Sequence, residues 1–453
     1  MIRRSASASL FAWIAFVAAG IVVAWLSGRL SPHFVSDSPS YLNYPFESLE
    51  SALRSSRMPG YPLFLQAVSR TLGQNAIPTL HVILHATAAW WICIELGAWG
   101  LSRMEAFVSA VAIGVGCTAM DNISTVATDA IAATVSVMAT CALLRSVRCE
   151  STWPQMALTV ALATLAIFIR PAYLFLIPWL LIARILLGWI KAERTITSVR
   201  FAATISIGVL IPLVAWMALR GVVVDDFRPL PFGHQNLAGV TVQLLDDQEL
   251  ENLPDEVQEL GKSIVALKKE FDAVGPGFAE GEAGATMTID ARWDDMTYHV
   301  AWPAAKQVVG DDIIAQHNAL AKLNRTIIGH YPRRYCRWLV MAIRRGAWAI
   351  AADIVMHPVF LLGILVAIVL GIYQAIAKPA GLLRYKLTQG HHALTVVAFT
   401  YLLFKLCFIV LTSPPIGRFS DAAAIFLPCW IAVTMLQRLG FSAASSVSSS
   451  PNQ

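Results

Sequence analysis

Charged residues are scarce in this 453-residue sequence. They make up 14% of it, whereas a soluble globular domain carries about 25%. A chain with so few charges lacks the polar surface that a water-soluble fold of this length exposes, which excludes that class of protein. No stripe of basic residues with interleaved aromatic residues occurs, and the net charge of +5 is spread over several segments. The sequence therefore excludes nucleic acid as a partner.

The sequence also lacks a disulfide framework and a cysteine-based zinc motif. Its seven cysteines include no CxxC pair and no His/Cys cluster. Five of them lie within apolar runs, where cysteine behaves as a small hydrophobic residue: Cys93, Cys117, Cys141, Cys407 and Cys429. Cysteine usage therefore leaves the redox compartment open.

Long apolar segments dominate what is present. Hydrophobic residues make up 57% of the chain, and the mean hydropathy is +0.60. A helix needs about 20 apolar residues to cross the ~30 Å hydrocarbon core of a bilayer. Apolar segments near that length fall at 9–28, 76–99, 105–120, 127–144, 155–169, 171–190, 200–220, 354–377, 390–412 and 420–437. The predicted fold class is all-α: a polytopic helical membrane protein with about ten transmembrane helices and a long non-cytoplasmic helical loop.

The basic residues predict the orientation of these spans. They fall on every second connection: Arg3, Arg4, Arg103, Arg145, Arg148, Lys191, Arg194, Arg200, Lys378, Arg384, Lys386 and Arg438. By the positive-inside rule these connections and both termini are cytoplasmic. The apolar stretch from Leu10 to Leu26 is too long for a typical signal peptide and lacks a clean cleavage site, so we expect it to be retained as the first span. The expected location is the inner (plasma) membrane.

The segment 155–190 has two interpretations. Arg170-Pro171 interrupts it, so it is either one kinked helix or two spans with a tight outer turn. A single span would invert the downstream topology and place the basic loops outside. The charge pattern therefore favours two spans.

The chain divides into four predicted regions. Residues 1–220 form an N-terminal transmembrane region, which includes a first outer loop at 29–75. Residues 221–353 form a long periplasmic cap, and residues 354–440 form a C-terminal transmembrane region. Residues 441–453 form a disordered Ser-rich tail. The cap holds 18 of the 29 acidic residues, between Asp225 and Asp312. Apolar residues at helical spacing predict an amphipathic helix over 246–273 and a second helix over 312–328, separated by a Gly-rich loop from Gly275 to Gly284.

The first outer loop carries the most informative motif. An acidic residue, Asp37, follows the first span, and the turn Arg57-Met58-Pro59-Gly60-Tyr61-Pro62 enters the next helix. This arrangement resembles the GT-C superfamily of membrane glycosyltransferases, including protein mannosyltransferase and aminoarabinose transferase-like enzymes. Further similarities follow in order along the chain: Thr128-Asp129-Ala130, Phe168-Ile169-Arg170-Pro171 with Pro178, His330-Tyr331-Pro332 with Tyr335, and Gly417-Arg418-Phe419. The family's usual paired acid is absent, because Ser38 follows Asp37.

The resemblance implies transfer of a sugar from a polyprenyl-phosphate donor, with inversion at the anomeric carbon. Asp37 matches the first-loop acid of the family, which accepts the proton of the attacking hydroxyl or holds a metal that does so. The departing phosphate needs fixed positive charge, which guanidinium groups supply well. Candidates for binding the donor phosphate are Arg57, Arg170, Arg418 and Lys405; candidates for other substrate contacts are Tyr41, Tyr61, Asp129, His81 and His85.

Each candidate also has a structural interpretation. Asp37 and Asp129 are favoured N-cap residues, and the three arginines and two tyrosines suit the membrane interface. Lys405 lies in an apolar run, where a charge faces a cavity or pairs with an acid. His81 and His85 share one helix face, which permits a shared divalent metal, but no third ligand is fixed. No cofactor is certain.

The predicted function is therefore a GT-C-like glycosyltransferase acting on the periplasmic side of the membrane. Its predicted partners are the polyprenyl-phosphate sugar, membrane lipids and a glycan, lipid or protein acceptor. One alternative is a transporter or flippase for lipid-linked sugars, which needs no acid in the first outer loop, although the internal repeats typical of transporters are not found. Another is a polysaccharide polymerase or ligase, which Arg333, Arg334 and Arg337, with Arg344 and Arg345, keep open. The sugar, the acceptor and the oligomeric state are not specified by the sequence.

Overall fold

The computed structural model describes residues 6–116, 122–150, 152–274, 289–377, 387–416 and 420–438. Within these ranges the regular secondary structure is helical, apart from one isolated bridge between His33 and Thr125. The all-α fold class predicted from the hydropathy pattern is confirmed. The predicted loop at 275–284, the tail at 441–453 and Arg418 lie outside the described residues.

The described residues of the N-terminal part form ten α-helices. They are α1 (Ala6–Leu26), α2 (Ser38–Leu42), α3 (Leu49–Arg54), α4 (Gly60–Thr71), α5 (Ile77–Ala98), α6 (Arg103–Gly114), α7 (Thr128–Arg148), α8 (Trp153–Ile169), α9 (Leu176–Ile190) and α10 (Thr195–Val224). Short 3₁₀ turns at Gln74–Ala76 and Pro171–Tyr173 precede α5 and α9. The segment 155–190 is thus two helices, because α8 ends at Ile169 and Pro171 cannot continue its hydrogen bonding.

A helical unit without long apolar runs follows α10. We call residues 225–331 the cap unit. It contains α11 (His234–Thr241), α12 (Asp247–Glu251), α13 (Asp255–Val274), a turn at Trp293–Asp295 that continues as a π-helical segment at Met296–Ala301, α14 (Trp302–Val309) and α15 (Ile313–His330). The helices predicted over 246–273 and 312–328 are confirmed, the first as the pair α12 and α13. Leu250, Leu260, Ile264, Val300 and Leu320 contribute to its own hydrophobic core.

The C-terminal part returns to apolar helices. Its described residues form α16 (Pro332–Met356), α17 (Pro358–Ala377), α18 (Gln389–Val410), a 3₁₀ turn at Asp421–Ala424 and α19 (Leu427–Arg438). Helices α16 and α17 meet at a bend of 74°. The residue before a proline is disfavoured in the α conformation, so Pro358 accounts for the break at His357.

Six described helices are long and apolar enough to cross a membrane, or seven if α16 and α17 form one broken span. The six spans are Ser9–Leu26, Gln74–Ala98, Thr128–Arg148, Pro171–Ile190, Thr195–Val224 and Gln389–Val410. The segments predicted at 105–120, 155–169 and 420–437 form described helices of 12, 17 and 12 residues, shorter than the roughly 20 residues of a straight crossing. The chain has several candidate membrane spans, and the count of ten stays a prediction.

Burial differs sharply among these spans. In α7, 89% of the most apolar stretch is buried, whereas the corresponding stretches of α1 and α10 are 11% and 22% buried. An apolar helix that exposes most of its surface is stable where its solvent is lipid. Helix α7 is therefore the centre of the bundle, and α1 and α10 form lipid-facing walls.

Candidate functional site

Asp37 and Arg57 form an ion pair in the first loop. The Arg57 Nη2 atom lies 2.7 Å from Asp37 Oδ1. The same guanidinium donates through Nε to Ser40 Oγ at 2.9 Å and through Nη1 to the Tyr41 hydroxyl at 3.1 Å. Asp37 occupies the N-cap position of α2, but its side chain accepts no capping hydrogen bond. Its carboxylate is therefore used for the ion pair and not for the helix end.

Aromatic rings enclose the Arg57 guanidinium. Its carbon lies 4.7 Å from the centroid of the Tyr41 ring and 5.6 Å from that of Phe232 in the cap unit. The Tyr41 ring meets Tyr61 edge-on at 5.3 Å. These contacts hold the cation by cation–π attraction while its side chain remains 19% exposed. The group is thus fixed in place and still accessible.

Asp129 and Arg170 form a second ion pair. Their side chains are in direct contact, and Arg170 Nη1 also donates to Thr128 Oγ1 at 3.2 Å. Asp129 lies in the first turn of α7, whose N-cap residue is Ala127, and Arg170 lies in the turn between α8 and α9. The Asp129 side chain is 6% exposed. A carboxylate buried this deeply requires a cationic partner, which Arg170 provides.

Backbone pairing brings the first loop to this second pair. His33 N donates to Ser124 O at 2.8 Å, and Val126 N donates to His33 O at 2.9 Å. The Ser38 hydroxyl donates to Val126 O at 2.8 Å and accepts from Val35 N at 2.9 Å. The loop that carries Asp37 is therefore bonded to the segment that opens α7 at Thr128-Asp129.

Ser38 explains why the sequence lacks two consecutive acids here. Its side chain is fully buried and points at the Val126 carbonyl oxygen. A carboxylate in this position would face another acceptor without a proton to share, which is costly in a buried site. The carboxylate at the start of the neighbouring helix α7 is that of Asp129.

Tyr61 connects the two pairs. It is fully buried, contacts Tyr41 through its ring, and experiences the charge of Asp129. Burial raises the pKa of Tyr61, so its hydroxyl stays protonated. That hydroxyl makes no hydrogen bond within the described part of the chain. Tyr61 follows Gly60, whose backbone lies so near Phe168 that an added Cβ would be 2.6 Å from the Phe168 carbonyl oxygen.

Lys405 adds a third cation from α18. It is 2% exposed, and its ammonium lies 3.8 Å from the centroid of the Tyr173 ring and 5.6 Å from that of Phe175. The charged groups that act on it are Arg170 and Asp129. We call Asp37, Tyr41, Arg57, Tyr61, Asp129, Arg170 and Lys405 the paired-carboxylate cluster.

The two histidines of α5 lie differently from one another. His81 stacks on Phe64 with ring centroids 5.7 Å apart and contacts Tyr61 at 6.2 Å. His81 Nδ1 lies 3.0 Å from Ile123 O, and its Nε2 is buried with no hydrogen-bond partner among the described residues. Both ring nitrogens of His85 are engaged, with Thr134 Oγ1 at 3.0 Å and Ile113 O at 2.9 Å. His81 borders the cluster, whereas His85 bonds to α6 and α7.

No group of three His, Cys, Asp or Glu side chains suited to a metal ion occurs in the described ranges. Since both nitrogens of His85 have protein partners, the arrangement of His81 and His85 does not favour the shared metal that their spacing permits. The carboxylates of the cluster are instead matched by arginines.

A buried network at the end of α10 was not predicted. Arg220 and Asp226 are buried and form an ion pair of 2.5 Å, and Arg228 Nε also lies 2.5 Å from Asp226. Arg220 donates to the Leu53 carbonyl oxygen in α3. The network therefore fastens the first loop to α10. In the sequence, Arg220 stands at the end of an apolar run, where an arginine is usually read as an interfacial anchor.

Among known proteins, a solved structure of a membrane enzyme is similar to this chain at low sequence identity. No family model matches this chain, and no curated protein matches it. A crystal structure of ArnT from Cupriavidus metallidurans bound to undecaprenyl phosphate is similar at 13% sequence identity and a TM-score of 0.32, over 94% of this chain and 77% of that chain. The two differ too much for this similarity to indicate a shared activity.

Proposed function

We propose that this chain is a GT-C-like membrane glycosyltransferase that transfers a sugar from a polyprenyl-phosphate donor to an acceptor. The observation that carries the proposal is the paired-carboxylate cluster. It joins two carboxylates, two arginines and a buried lysine where the first loop, the α8–α9 turn and α18 meet. The sequence motifs that resemble the GT-C superfamily supply the two carboxylates and the two arginines, whereas Lys405 lies outside those motifs.

The cluster has the groups that the reaction needs. The acceptor hydroxyl oxygen forms a bond to the anomeric carbon while the bond from that carbon to the phosphate oxygen breaks. The proton of the hydroxyl passes to Asp37, and the phosphate leaves with the bonding electron pair. Cations fixed beside the leaving phosphate stabilise the charge that develops on it. Arg57, Arg170 and Lys405 are assigned this role.

Lys405 supports an anionic substrate in particular. Among the described residues, the Lys405 ammonium contacts the faces of aromatic rings and forms no ion pair. A cation within a membrane helix is costly, and such residues usually serve a substrate or ion. Asp129 and Arg170 balance each other's charge, so a phosphate beside Lys405 would neutralise the positive charge that remains.

The proposal includes orientation and partners. The cap unit and the cluster lie on the periplasmic side, both termini are cytoplasmic, and the membrane is the inner membrane of a cell envelope. The polyprenyl tail enters between helices, and Tyr41, Tyr61 and His81 line the space for the sugar. The scheme requires no general acid, because a phosphate is already a good leaving group.

The experiment that tests this class of function separates transfer from transport. Purified protein in vesicles is offered radiolabelled polyprenyl-phosphate sugars, and sugar transfer, donor hydrolysis and donor movement across the bilayer are measured together. The proposal predicts transfer or slow hydrolysis of at least one donor. Donor movement across the bilayer without any turnover would favour a flippase instead. Elongation of a lipid-linked glycan would favour the polymerase or ligase.

A further inference from the structure

One face of α16 presents three exposed arginines in a row. Arg333, Arg337 and Arg344 are exposed, and their separations of four and seven residues place them within about 40° of one another around a helix with 3.6 residues per turn. Val340 and Trp348, which are 68% and 77% exposed, lie on the same face. We call this the arginine face of α16. It combines exposed guanidinium groups with apolar side chains that are largely exposed.

The other two arginines of α16 fix the orientation of the helix. Arg334 contacts Glu249 of the cap unit at 2.6 Å, and Arg345 contacts Asp290 at 2.8 Å. The hydrogen bond from Arg334 lowers the pKa of Glu249. These two pairs attach α16 to the cap unit. The arginine face has no such acidic partner among the described residues.

The opposite face of α16 is packed against the bundle. Trp338 and Ala342 are buried with Leu406 of α18 in one cluster. An added Cβ on Gly346 would lie 2.6 Å from Leu406 Cδ1, so the two helices approach as closely as a glycine permits. The Tyr335 hydroxyl donates to Leu411 O at 2.7 Å. The arginine face therefore cannot turn inward without breaking this packing.

The exposed surface changes character along α16 toward the membrane. Its first half exposes arginines, and its second half exposes Trp348, Val355 and Met356. After the 74° bend, α17 exposes apolar residues such as Leu362 and Val369. If α17 crosses the bilayer, the bend lays α16 along its surface. Arginine and tryptophan are the residues that occupy the headgroup region in such helices.

We propose that the arginine face of α16 binds the headgroup phosphates of anionic membrane phospholipids. Guanidinium groups form bidentate hydrogen bonds to phosphate, and the exposed Val340 and Trp348 fit the acyl boundary beside it. Each basic residue near an anionic membrane surface adds to the attraction. This surface is separate from the paired-carboxylate cluster, and the inference holds whether or not the chain transfers sugar.

The test compares the full-length protein in mixed detergent micelles with phosphatidylglycerol or with phosphatidylcholine. Thermal stability and retained lipid, counted by native mass spectrometry, are measured for three proteins. These are the wild type, the R333Q/R337Q/R344Q variant, and a control with the same loss of charge in the cap unit, K262Q/K269Q/K322Q. We expect the wild type and the control to retain phosphatidylglycerol in preference to phosphatidylcholine by about tenfold, and the arginine variant to lose that preference.

Four results would overturn the inference. The first is a wild-type protein that shows no preference between the two lipids. An arginine variant that retains phosphatidylglycerol as well as the wild type is the second. Equal stabilisation by soluble glycerol phosphate, without a lipid tail, is the third, since it would indicate a site for a free anion. Selective displacement of phosphatidylglycerol by a trace of polyprenyl phosphate would reassign the face to the lipid-linked substrate.

Discussion

Arg57 makes three directed contacts that only a guanidinium can make together. Its nitrogens reach Asp37, Ser40 and Tyr41 from a planar fork, whereas a lysine ammonium is a compact point charge on a flexible stem. We expect Arg57→Lys to leave protein abundance unchanged and to lower kcat/KM for sugar transfer by about 100-fold, the loss of roughly 2.7 kcal/mol of transition-state stabilisation. An Arg54→Lys variant, whose side chain is exposed and pairs with Glu50, is the matched control. Equal activity of both variants would contradict the role of Arg57.

Replacing Lys405 distinguishes a residue that contacts the substrate from a charge that serves only the fold. A buried cation costs stability, so Lys405→Met, which keeps most of the volume, should leave the melting temperature unchanged or raise it. It should also raise the KM for the lipid-phosphate donor at least tenfold, because a phosphate contact is lost. Thermal denaturation and steady-state kinetics in the same detergent measure both quantities. A large drop in melting temperature with unchanged KM would show that Lys405 serves the fold.

At the residue scale, the sequence identified which residues lie in the paired-carboxylate cluster better than it identified which of them contact each other. Asp37 and Arg57 share a loop, so their proximity followed from the motif. The contact between Asp129 and Arg170 joins positions 41 residues apart, and no local pattern reports such a pairing. The interpretation of Asp37 as a helix cap was wrong for its side chain, which makes no capping hydrogen bond. N-cap preference is a property of the residue type, and it does not report which other groups the carboxylate can contact.

Among the helices, the start of α4 controls how the two ion pairs meet. Gly60 lies against the end of α8 at Phe168-Ile169, one residue before Arg170. Gly60→Ala would push α4 away and separate Tyr61 from Asp129, at a cost of about 1–3 kcal/mol for overpacking. We expect activity to fall at least tenfold and the melting temperature to decrease. Gly329→Ala, where an added Cβ meets nothing within 4 Å, should stabilise α15 slightly and leave activity intact.

At the element scale, the hydropathy pattern and the helix-breaking prolines predicted most of the described helices. The break at Arg170-Pro171 and both amphipathic helices of the cap unit were identified from proline position and apolar spacing. The 74° bend between α16 and α17 was not. Hydropathy reports how apolar a segment is, and the angle between two helices depends on what each packs against.

For the whole molecule, the contact region between the cap unit and α10 predicts a pH dependence of stability. His317 is buried, with His234, Arg220, Arg228 and Asp226 as its charged or titratable neighbours. Burial, His234 and the arginines lower the pKa of His317 to about 3, against the opposing effect of Asp226. The unfolded chain, with a histidine pKa near 6.5, therefore binds a proton that the folded chain does not between pH 6.5 and 3.

Stability consequently falls as the pH drops below 6.5, by about 1.4 kcal/mol per unit for this group. Denaturation of the solubilised protein near pH 7 and near pH 5 should show a loss of about 2 kcal/mol that His317→Gln removes. His330→Gln, at an exposed histidine, should keep the wild-type dependence. Identical pH profiles for wild type and His317→Gln would refute the assignment.

At the same scale, the sequence predicted a membrane bundle with a polar cap, but not how the two are joined. The joints include the ion pair of Arg220 with Asp226 and the contact of Phe232 with Arg57. Each of these contacts either connects residues that are distant in sequence or lies at the end of an apolar run. Composition therefore assigns such residues to the membrane interface, although the structure buries Arg220 and Asp226.

The most direct test of the central claim is the release of polyprenyl phosphate from a donor by reconstituted Asp37→Asn protein. Asn keeps the shape of the side chain but accepts a proton far less readily, so turnover should fall at least about 100-fold while folding and abundance stay normal. Asp311→Asn, which changes an exposed carboxylate of the cap unit, should match the wild type. A well-folded Asp37→Asn protein with full turnover would contradict the account.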